Sequence, residues 1–103
     1  MLQFDVYPNP SARSRREIPY LVILQSHFFD GVPTVIVAPL LIDDGRSAYS
    51  AGSVKVALSD AQYVVSAPEP AGIDRTMLRD RAGNLGDYEY ELRRALDQLF
   101  TGF

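Results

Sequence analysis

The sequence predicts a small, strongly curved antiparallel sheet or barrel with one helix packed on it. Short apolar runs alternate with turn residues over most of the 103 residues, which is typical of β-rich folds. Only the stretch 87–103 has the three- and four-residue apolar spacing of a helix with one buried face. Many short strands followed by a single helix favour a sheet that the helix covers.

Composition sets the class of protein before any element is assigned. The length fits one domain, 1–103, and the 47% hydrophobic and 22% charged residues are ordinary for a soluble chain. There is no Cys, no apolar run of the roughly 18 residues that span a membrane, and no start that resembles a signal peptide. We therefore expect a cytoplasmic protein with no membrane partner. The formal net charge of −3 disfavours direct contact with nucleic acid.

The first half of the chain predicts three strands. Residues 2–7 alternate apolar and polar side chains, which indicates a strand with one buried face. Residues 20–25 form a largely β-branched and aliphatic run, as in a strand that is covered on both faces, and residues 34–38 form a second strongly apolar strand. We expect these two runs to pair as antiparallel neighbours.

The second half predicts a hairpin before the helix. Residues 54–58 alternate apolar and polar side chains, and Ser59-Asp60 turns the chain into a second strand at 62–66. Residues 48–50 fit a short strand. The charged connector 73–81 has room for a single helical turn.

The final helix is the element around which the rest of the chain is expected to pack. Asp87 stands at its start, where a short carboxylate can accept from the unpaired N–H groups of the first turn. The predicted buried face comprises Tyr88, Leu92, Ala95, Leu96 and Leu99. Phe100 falls at the edge of this face, and the chain ends on another aromatic residue, Phe103. Such an ending is either core or part of a binding surface.

Candidate catalytic groups are few. His27 is the single histidine, and the sequence supplies no residue to orient it as a general base. Asp43 and Asp44 lie in an Asp-Asp-Gly turn that lacks the spacing of a calcium loop. All three fit solvent-facing loop positions. We therefore predict no catalytic residue, no metal site and no cofactor.

Two other clusters point to binding. Arg13, Arg15 and Arg16 form a basic cluster in a loop, which would suit an acidic peptide or a phosphate, or would simply face solvent. Phe28 and Phe29 are adjacent in a connection, and neighbouring side chains of an extended segment point to opposite sides. Either both pack in the core, or one is an exposed anchor of the kind that interfaces use.

Segments along the whole chain resemble the CcdB family of bacterial toxins. The similarity lies in QFDVY at 3–7 with Asn9, PYLV at 19–22 leading to LQS at 24–26, VIVAPL at 35–40, and the ending ALDQLFTGF at 95–103. It is weakest over residues 42–53. The two ends, together with Leu-Gln-Ser at a fixed spacing, make a fairly specific signature.

The resemblance implies a fold, a set of partners and a function. The fold would be mainly β, a small SH3-like antiparallel barrel with a small extra sheet and a C-terminal helix. The protein would be a homodimer and the toxin of a toxin–antitoxin module, neutralised by an antitoxin with a disordered tail. Its target would be the A subunit of DNA gyrase. Such toxins hydrolyse nothing and trap gyrase in its DNA-cleaved state.

The resemblance also implies site residues by position. The gyrase-binding surface would comprise Phe28, Phe29, Asp97, Phe100, Thr101, Gly102 and Phe103. Antitoxin contacts would lie in two loops and involve Asn9, Arg13, Arg15, Arg16, Asp43 and Asp44.

Two positions depart from the familiar pattern of the family, which has tryptophan at 101 and asparagine at 97. Thr101 cannot stack on an arginine of the target as a tryptophan does. Two alternatives therefore stand beside the gyrase poison. One is a protein of this fold that binds its antitoxin but has lost or redirected gyrase binding. The other is a ribonuclease toxin of the MazF type, which has a similar fold.

Overall fold

The predicted curled antiparallel sheet with a final helix is confirmed in a computed structural model, which describes residues 1–26, 31–45 and 52–102. Within these ranges one α-helix, α1, spans Glu89–Thr101, and 3-10 turns lie at Arg75–Met77 and Gly86–Tyr88. The strands, numbered in chain order, are β1 Asp5–Pro8, β2 Tyr20–Ile23, β3 Thr34–Ile42, β4 Ser53–Leu58, β5 Ala61–Ser66, β6 Ala71–Asp74 and β7 Gly83–Asn84. The predicted strand at 48–50 lies outside the described residues.

The described strands form one sheet that curls into a half-barrel. Their order is β4-β5-β3-β2-β1-β7, and β6 joins the same sheet by pairing with β3. β2 and β3 pair as antiparallel neighbours, and β4 and β5 form a hairpin, as predicted. In the described part of the chain, no helix is long and apolar enough to cross a membrane.

β3 extends beyond its predicted end because it pairs with two strands along one side. Residues 34–37 pair with β6, and residues 40–42 pair with β5. Pro39 falls between these two stretches. The Ile36 carbonyl accepts from the Leu24 N–H on the β2 side, so the nitrogen of Pro39 faces the opposite side. Neither β5 nor β6 pairs with β3 at this point, so the missing N–H of proline costs no hydrogen bond between strands.

The core lies on both faces of the central strands. One cluster faces α1, and the other, on the opposite face, comprises Tyr7, Leu21, Ile23, Val35, Val37 and Leu78. The prediction that β1 has a polar outer face is wrong, because Asp5 and Tyr7 are buried as well as Val6. Leu2, which the same pattern placed on the buried face, is 58% exposed, since the strand begins only at Asp5.

Asp5 tolerates burial because three donors surround its carboxylate. Its Oδ1 accepts from Arg81 Nε at 2.8 Å and from Asn84 Nδ2 at 2.9 Å, and its Oδ2 accepts from the Leu2 N–H at 2.8 Å. Burial by itself raises the pKa of Asp5, but these hydrogen bonds and the Arg81 charge outweigh it and hold the pKa below its usual value. The network ties the start of the chain to the segment that precedes α1.

α1 begins later than predicted. The expected cap by Asp87 is wrong, because the 3-10 turn Gly86–Tyr88 precedes the helix and makes Tyr88 its N-cap residue. Tyr88 has a different role: its Oη accepts from the Ala57 N–H at 3.0 Å. The helix start is therefore fixed to the edge of β4 by a side chain rather than closed by a capping carboxylate.

α1 also buries less of its apolar face than predicted. Leu92 and Ala95 are buried, whereas Tyr88 and Leu96 pack only partly against the core. Leu99 is 40% exposed, so its assignment to the buried face is wrong. The buried residues therefore lie in the first two turns of α1, and its last turn is exposed.

Leu92→Asp is expected to prevent folding. The Leu92 side chain is 1% exposed, and an unpaired charge there would cost much of the roughly 5–10 kcal/mol that stabilises a domain of this size. Leu96→Asp is the matched control, since Leu96 is only partly buried, and should lower the melting temperature while leaving a cooperative transition. Circular dichroism melts measure both. A wild-type transition in Leu92→Asp would show that α1 does not pack through this residue.

The Asp5 network predicts a stability contribution that acid removes. Because the pKa of Asp5 is lower in the folded chain, this contribution is complete above the unfolded pKa of about 3.9 and is lost as the pH falls through the folded value. Asp5→Asn should reduce the free energy of unfolding by about 1–3 kcal/mol near neutral pH. The difference should shrink below about pH 4. Urea melts across this range measure it, and a difference independent of pH would contradict the assignment.

Candidate functional site

The end of α1 projects an aromatic side chain into solvent. Phe100 is 74% exposed, the highest fraction among the large apolar side chains that the structure describes. Gly102 ends the helix in the left-handed conformation, with φ 79° and ψ 9°, and its N–H donates to the Gln98 carbonyl at 3.1 Å. Glycine adopts this conformation without strain. The last turn is thus a hydrogen-bonded cap that carries Phe100 on its outer side.

The two positions that depart from the familiar pattern lie on this same turn. The Thr101 hydroxyl donates to the Asp97 carbonyl at 2.6 Å, one helical turn back. This bond uses the hydroxyl proton, so Thr101 offers a partner its methyl group and an acceptor oxygen. Asp97 and Thr101 are both exposed.

The structure therefore brings part of the predicted gyrase-binding set together. Asp97, Phe100, Thr101 and Gly102 share one exposed turn, which we call the helix tip. The remaining members, Phe28, Phe29 and Phe103, lie outside the described residues.

An apolar groove opens beside the helix tip. Its volume is about 410 Å³, and it is lined by Leu24, Gln25, Ile36, Pro70, Leu96 and Phe100. Ile36 is 48% exposed because successive residues of β3 point to opposite faces, and the core takes Val35 and Val37. Gln25 Oε1 accepts from the Ile36 N–H at 3.0 Å, which keeps its polar end on the backbone. The groove joins the end of β2 to the helix tip.

Sequence reasoning missed most of this groove. The apolar run at 34–38 predicts a strand but does not indicate which of its residues faces solvent, and Ile36 is half exposed. Helical spacing predicts Leu96 as core, whereas it is only partly buried and lines the groove. Neither residue differs in type from its buried neighbours, so the sequence carries no signal that separates them.

The first predicted antitoxin loop is organised by Asn9. Asn9 is 4% exposed, and its Nδ2 donates to Ser14 Oγ at 2.9 Å and to the Ile18 carbonyl at 2.8 Å. Arg15 Nε donates to the Asn9 carbonyl at 3.0 Å. Asn9 and Arg15 thus hold the loop in shape, and the exposed residues Arg13 and Arg16 lie on its surface.

The second predicted antitoxin loop meets the first at a groove. Asp44 lines this groove of about 340 Å³ together with Arg16, Glu17, Leu41 and Ile42. Asp43 Oδ1 accepts from the Gly45 N–H at 3.1 Å, and its Oδ2 lies 3.9 Å from Lys55 Nζ. Ile42 is 52% exposed. The two loops therefore form one surface with an apolar centre and charges of both signs.

A further groove of about 390 Å³ lies between β4 and α1. Lys55 and Arg94 bring positive charge to it, and Glu91 brings a carboxylate. Arg94 Nη1 lies 3.4 Å from Tyr90 Oη, which raises the pKa of Arg94. This groove has mixed charge and no apolar floor comparable with that beside Phe100.

Solved structures of the same fold include toxins from mycobacteria. An endoribonuclease in complex with its cognate antitoxin from mycobacterial species gives a TM-score of 0.78 at 16% identity, over 96% of this chain and 93% of that chain. Another mycobacterial endoribonuclease gives 0.73 at 16% identity, over 96% and 89%. The Mycobacterium tuberculosis toxin MazF-mt6 gives 0.70 at 21% identity, over 93% of each chain. At these identities the likeness concerns the fold alone.

Comparison with curated protein sequences yields no match. A family model, described as CcdB protein, matches residues 3–102, which include β1 to β7 and α1. The chain therefore belongs to the CcdB family, the toxins of toxin–antitoxin systems.

Proposed function

We propose that this toxin binds the A subunit of DNA gyrase and holds the enzyme on cleaved DNA. The observation that carries the proposal is the exposed Phe100 on the capped end of α1, beside an apolar groove. A large aromatic side chain that stays in solvent in the free protein is the kind of anchor that dominates interface energetics. Its position matches the gyrase-binding turn that the family resemblance implies.

The proposed action is binding, without a catalytic step. Phe100 would insert into a pocket of the target, and full burial of such a side chain is worth about 1.5–3 kcal/mol. Asp97 adds a negative charge near the carbonyl end of the helix, which favours a basic patch on the partner. Thr101 carries no aromatic ring, so Phe100 is the aromatic contact of the described turn.

We also propose that an antitoxin with a disordered tail neutralises the toxin at the two loops around Arg16 and Asp44. Exposed guanidinium groups at Arg13 and Arg16 suit carboxylates, and the exposed Ile42 between the loops suits an apolar side chain. A tail that mixes acidic and apolar residues would match this surface. A mycobacterial endoribonuclease of the same fold was solved with its cognate antitoxin, which supports the proposal that a protein of this fold can bind an antitoxin.

Ribonuclease activity is the second candidate, because the structural neighbours include endoribonucleases. Lys55 and Arg94 in the groove between β4 and α1 are placed to meet an RNA backbone. Glu91 in the same groove and the net charge of −3 oppose it. We therefore favour gyrase as the target.

We propose in addition that the toxin is a homodimer that uses the apolar groove. Ile36, Pro70 and Leu96 leave apolar surface in contact with water in a single copy. Burying it against a second copy would add stability to a domain whose own core is modest. Phe100 lies at the helix-tip end of this groove and would stay outside the interface, exposed to the target.

Phe100→Ala is expected to weaken binding to gyrase A by about tenfold or more, as loss of a hot-spot aromatic does. Its melting temperature should stay unchanged, because the side chain is 74% exposed. Tyr90→Ala is the matched control, since Tyr90 is an aromatic residue of the same helix that is 69% exposed but lies in its first turn. Pull-down and calorimetric titration, with topoisomerase IV alongside gyrase A, measure the effect.

The outcomes of this comparison separate the alternatives. Equal losses in Phe100→Ala and Tyr90→Ala would contradict a role for the helix tip. A wild-type chain that binds antitoxin but neither topoisomerase would establish the alternative in which gyrase binding is lost.

Ile36→Glu is expected to convert the dimer to a monomer, because it places a charge in the apolar groove. Met77→Glu is the control, since Met77 is 54% exposed and does not line the groove. Sedimentation velocity at several concentrations distinguishes the two states. A dimer that survives in Ile36→Glu would place the interface elsewhere.

A further inference from the structure

We propose that Gln3 is a positioning residue that fixes α1, and with it the helix tip, against the end of β2. The proposal rests on the proposed gyrase binding at that tip and deepens it. Gln3 Nε2 donates to the Leu24 carbonyl at 2.8 Å, and Gln3 Oε1 accepts from Arg93 Nη2 at 3.0 Å. One side chain therefore links the strand end to the helix, and we call this link the Gln3–Arg93 clamp.

Gln3 reaches both partners because the chain turns sharply beside it. Phe4 has φ 70°, a left-handed conformation that residues with a side chain rarely adopt. The Asp5 N–H donates to the Leu2 carbonyl at 3.1 Å, and Asp5 Oδ2 accepts from the Leu2 N–H at 2.8 Å. Phe4 is 2% exposed, and its N–H donates to the Ile23 carbonyl at 2.8 Å. Strain of this kind persists only where the surrounding structure enforces it, and it clusters at functional sites.

Arg93 lies where it can control the direction of the tip. It precedes Phe100 by about two helical turns of 3.6 residues, so the two side chains share one stripe of α1. Its guanidinium carbon lies 5.7 Å from the centroid of the Phe4 ring, and its Nη2 lies 3.2 Å from Glu89 Oε1. Arg93 thus contacts the turn at residues 2–5, and Gln3 in that turn supplies the second contact, to the end of β2.

The clamp anchors α1 on a different side from its buried residues. Tyr88 fixes the start of the helix to β4, and Leu92 and Ala95 face the core. Arg93 lies about 100° around the helix from Leu92, so a contact there resists rotation of α1 about its own axis. The clamp fixes the second turn relative to Leu24, and Leu24 and Phe100 line the same apolar groove. It therefore sets the width of the groove and the direction of Phe100.

A double-mutant cycle on gyrase A binding tests the clamp. Gln3→Met removes the polar groups while keeping side-chain length, and Arg93→Met removes the guanidinium while keeping an apolar stem. Each is expected to weaken binding about fivefold to tenfold, as loss of a hydrogen-bonded link does. The double variant should bind no more weakly than Arg93→Met alone, because both changes break one link. Additive losses, or wild-type affinity in Gln3→Met, would overturn the proposal.

Glu89→Gln is the matched control for Arg93. It removes the exposed ion pair with Arg93 and leaves the Gln3 contact in place. Exposed pairs of this kind contribute little, so its affinity should stay within about twofold of the wild type. A loss equal to that of Gln3→Met would assign the effect to the charge on Arg93 and not to the clamp.

Amide hydrogen exchange in the free protein separates failure of the clamp from failure of the proposed target. Gln3→Met should speed exchange over residues 96–102 and leave the β4–β5 hairpin unchanged. Faster exchange in a chain that does not bind gyrase A in any form would reject the target and retain the clamp. Unchanged exchange along α1 would overturn the clamp whatever the affinity.

Discussion

The buried carboxylate of Asp5 holds together parts of the chain that lie far apart in the sequence. It accepts from Leu2, Arg81 and Asn84, and so joins the start of the chain to the segment that leads into α1. A buried carboxylate without such partners would be costly, and removal of any one donor would leave part of it unsatisfied. Because Asn84 belongs to β7, the same contact fixes the register of β7 on β1 and thereby the place where the helix starts.

α1 both packs on the sheet and presents an exposed aromatic residue. Leu92 and Ala95 hold it on the half-barrel, while the last turn is exposed. The left-handed Gly102 closes the helix, so Phe100 is exposed on a defined cap instead of a frayed end. An aromatic residue on a hydrogen-bonded backbone loses less conformational entropy on binding than one on a frayed end, and this is the physical basis of the proposed action on gyrase.

Strands with a clear apolar or alternating pattern can be predicted from the sequence. Strands that form only through contacts between distant residues cannot. The runs that become β2, β3 and the β4–β5 hairpin are long, apolar or alternating, so they are recognisable locally. β6 and β7 are not, because 71–74 has no alternation and 83–84 is a two-residue pairing that depends on Asp5. The alternating pattern assigns Asp5 to a polar outer face of the strand, because its hydrogen-bond partners Arg81 and Asn84 lie far along the chain. The positive φ of Phe4 has no signal in the residue type.

In the site, Phe100 is identifiable from its place at the edge of the helical face, whereas Ile36 is hidden in an apolar run.

Solved structures of this fold include endoribonucleases, while the sequence belongs to the CcdB family, so the fold alone does not choose between RNA and gyrase as the target. Gyrase and RNA can be compared as targets with the same purified protein. It is incubated with gyrase, ATP and supercoiled DNA, and separately with single-stranded RNA. A gyrase poison should yield linear DNA covalently attached to gyrase after denaturation, together with intact RNA. Cleaved RNA with gyrase and DNA unaffected would contradict the proposed action on gyrase.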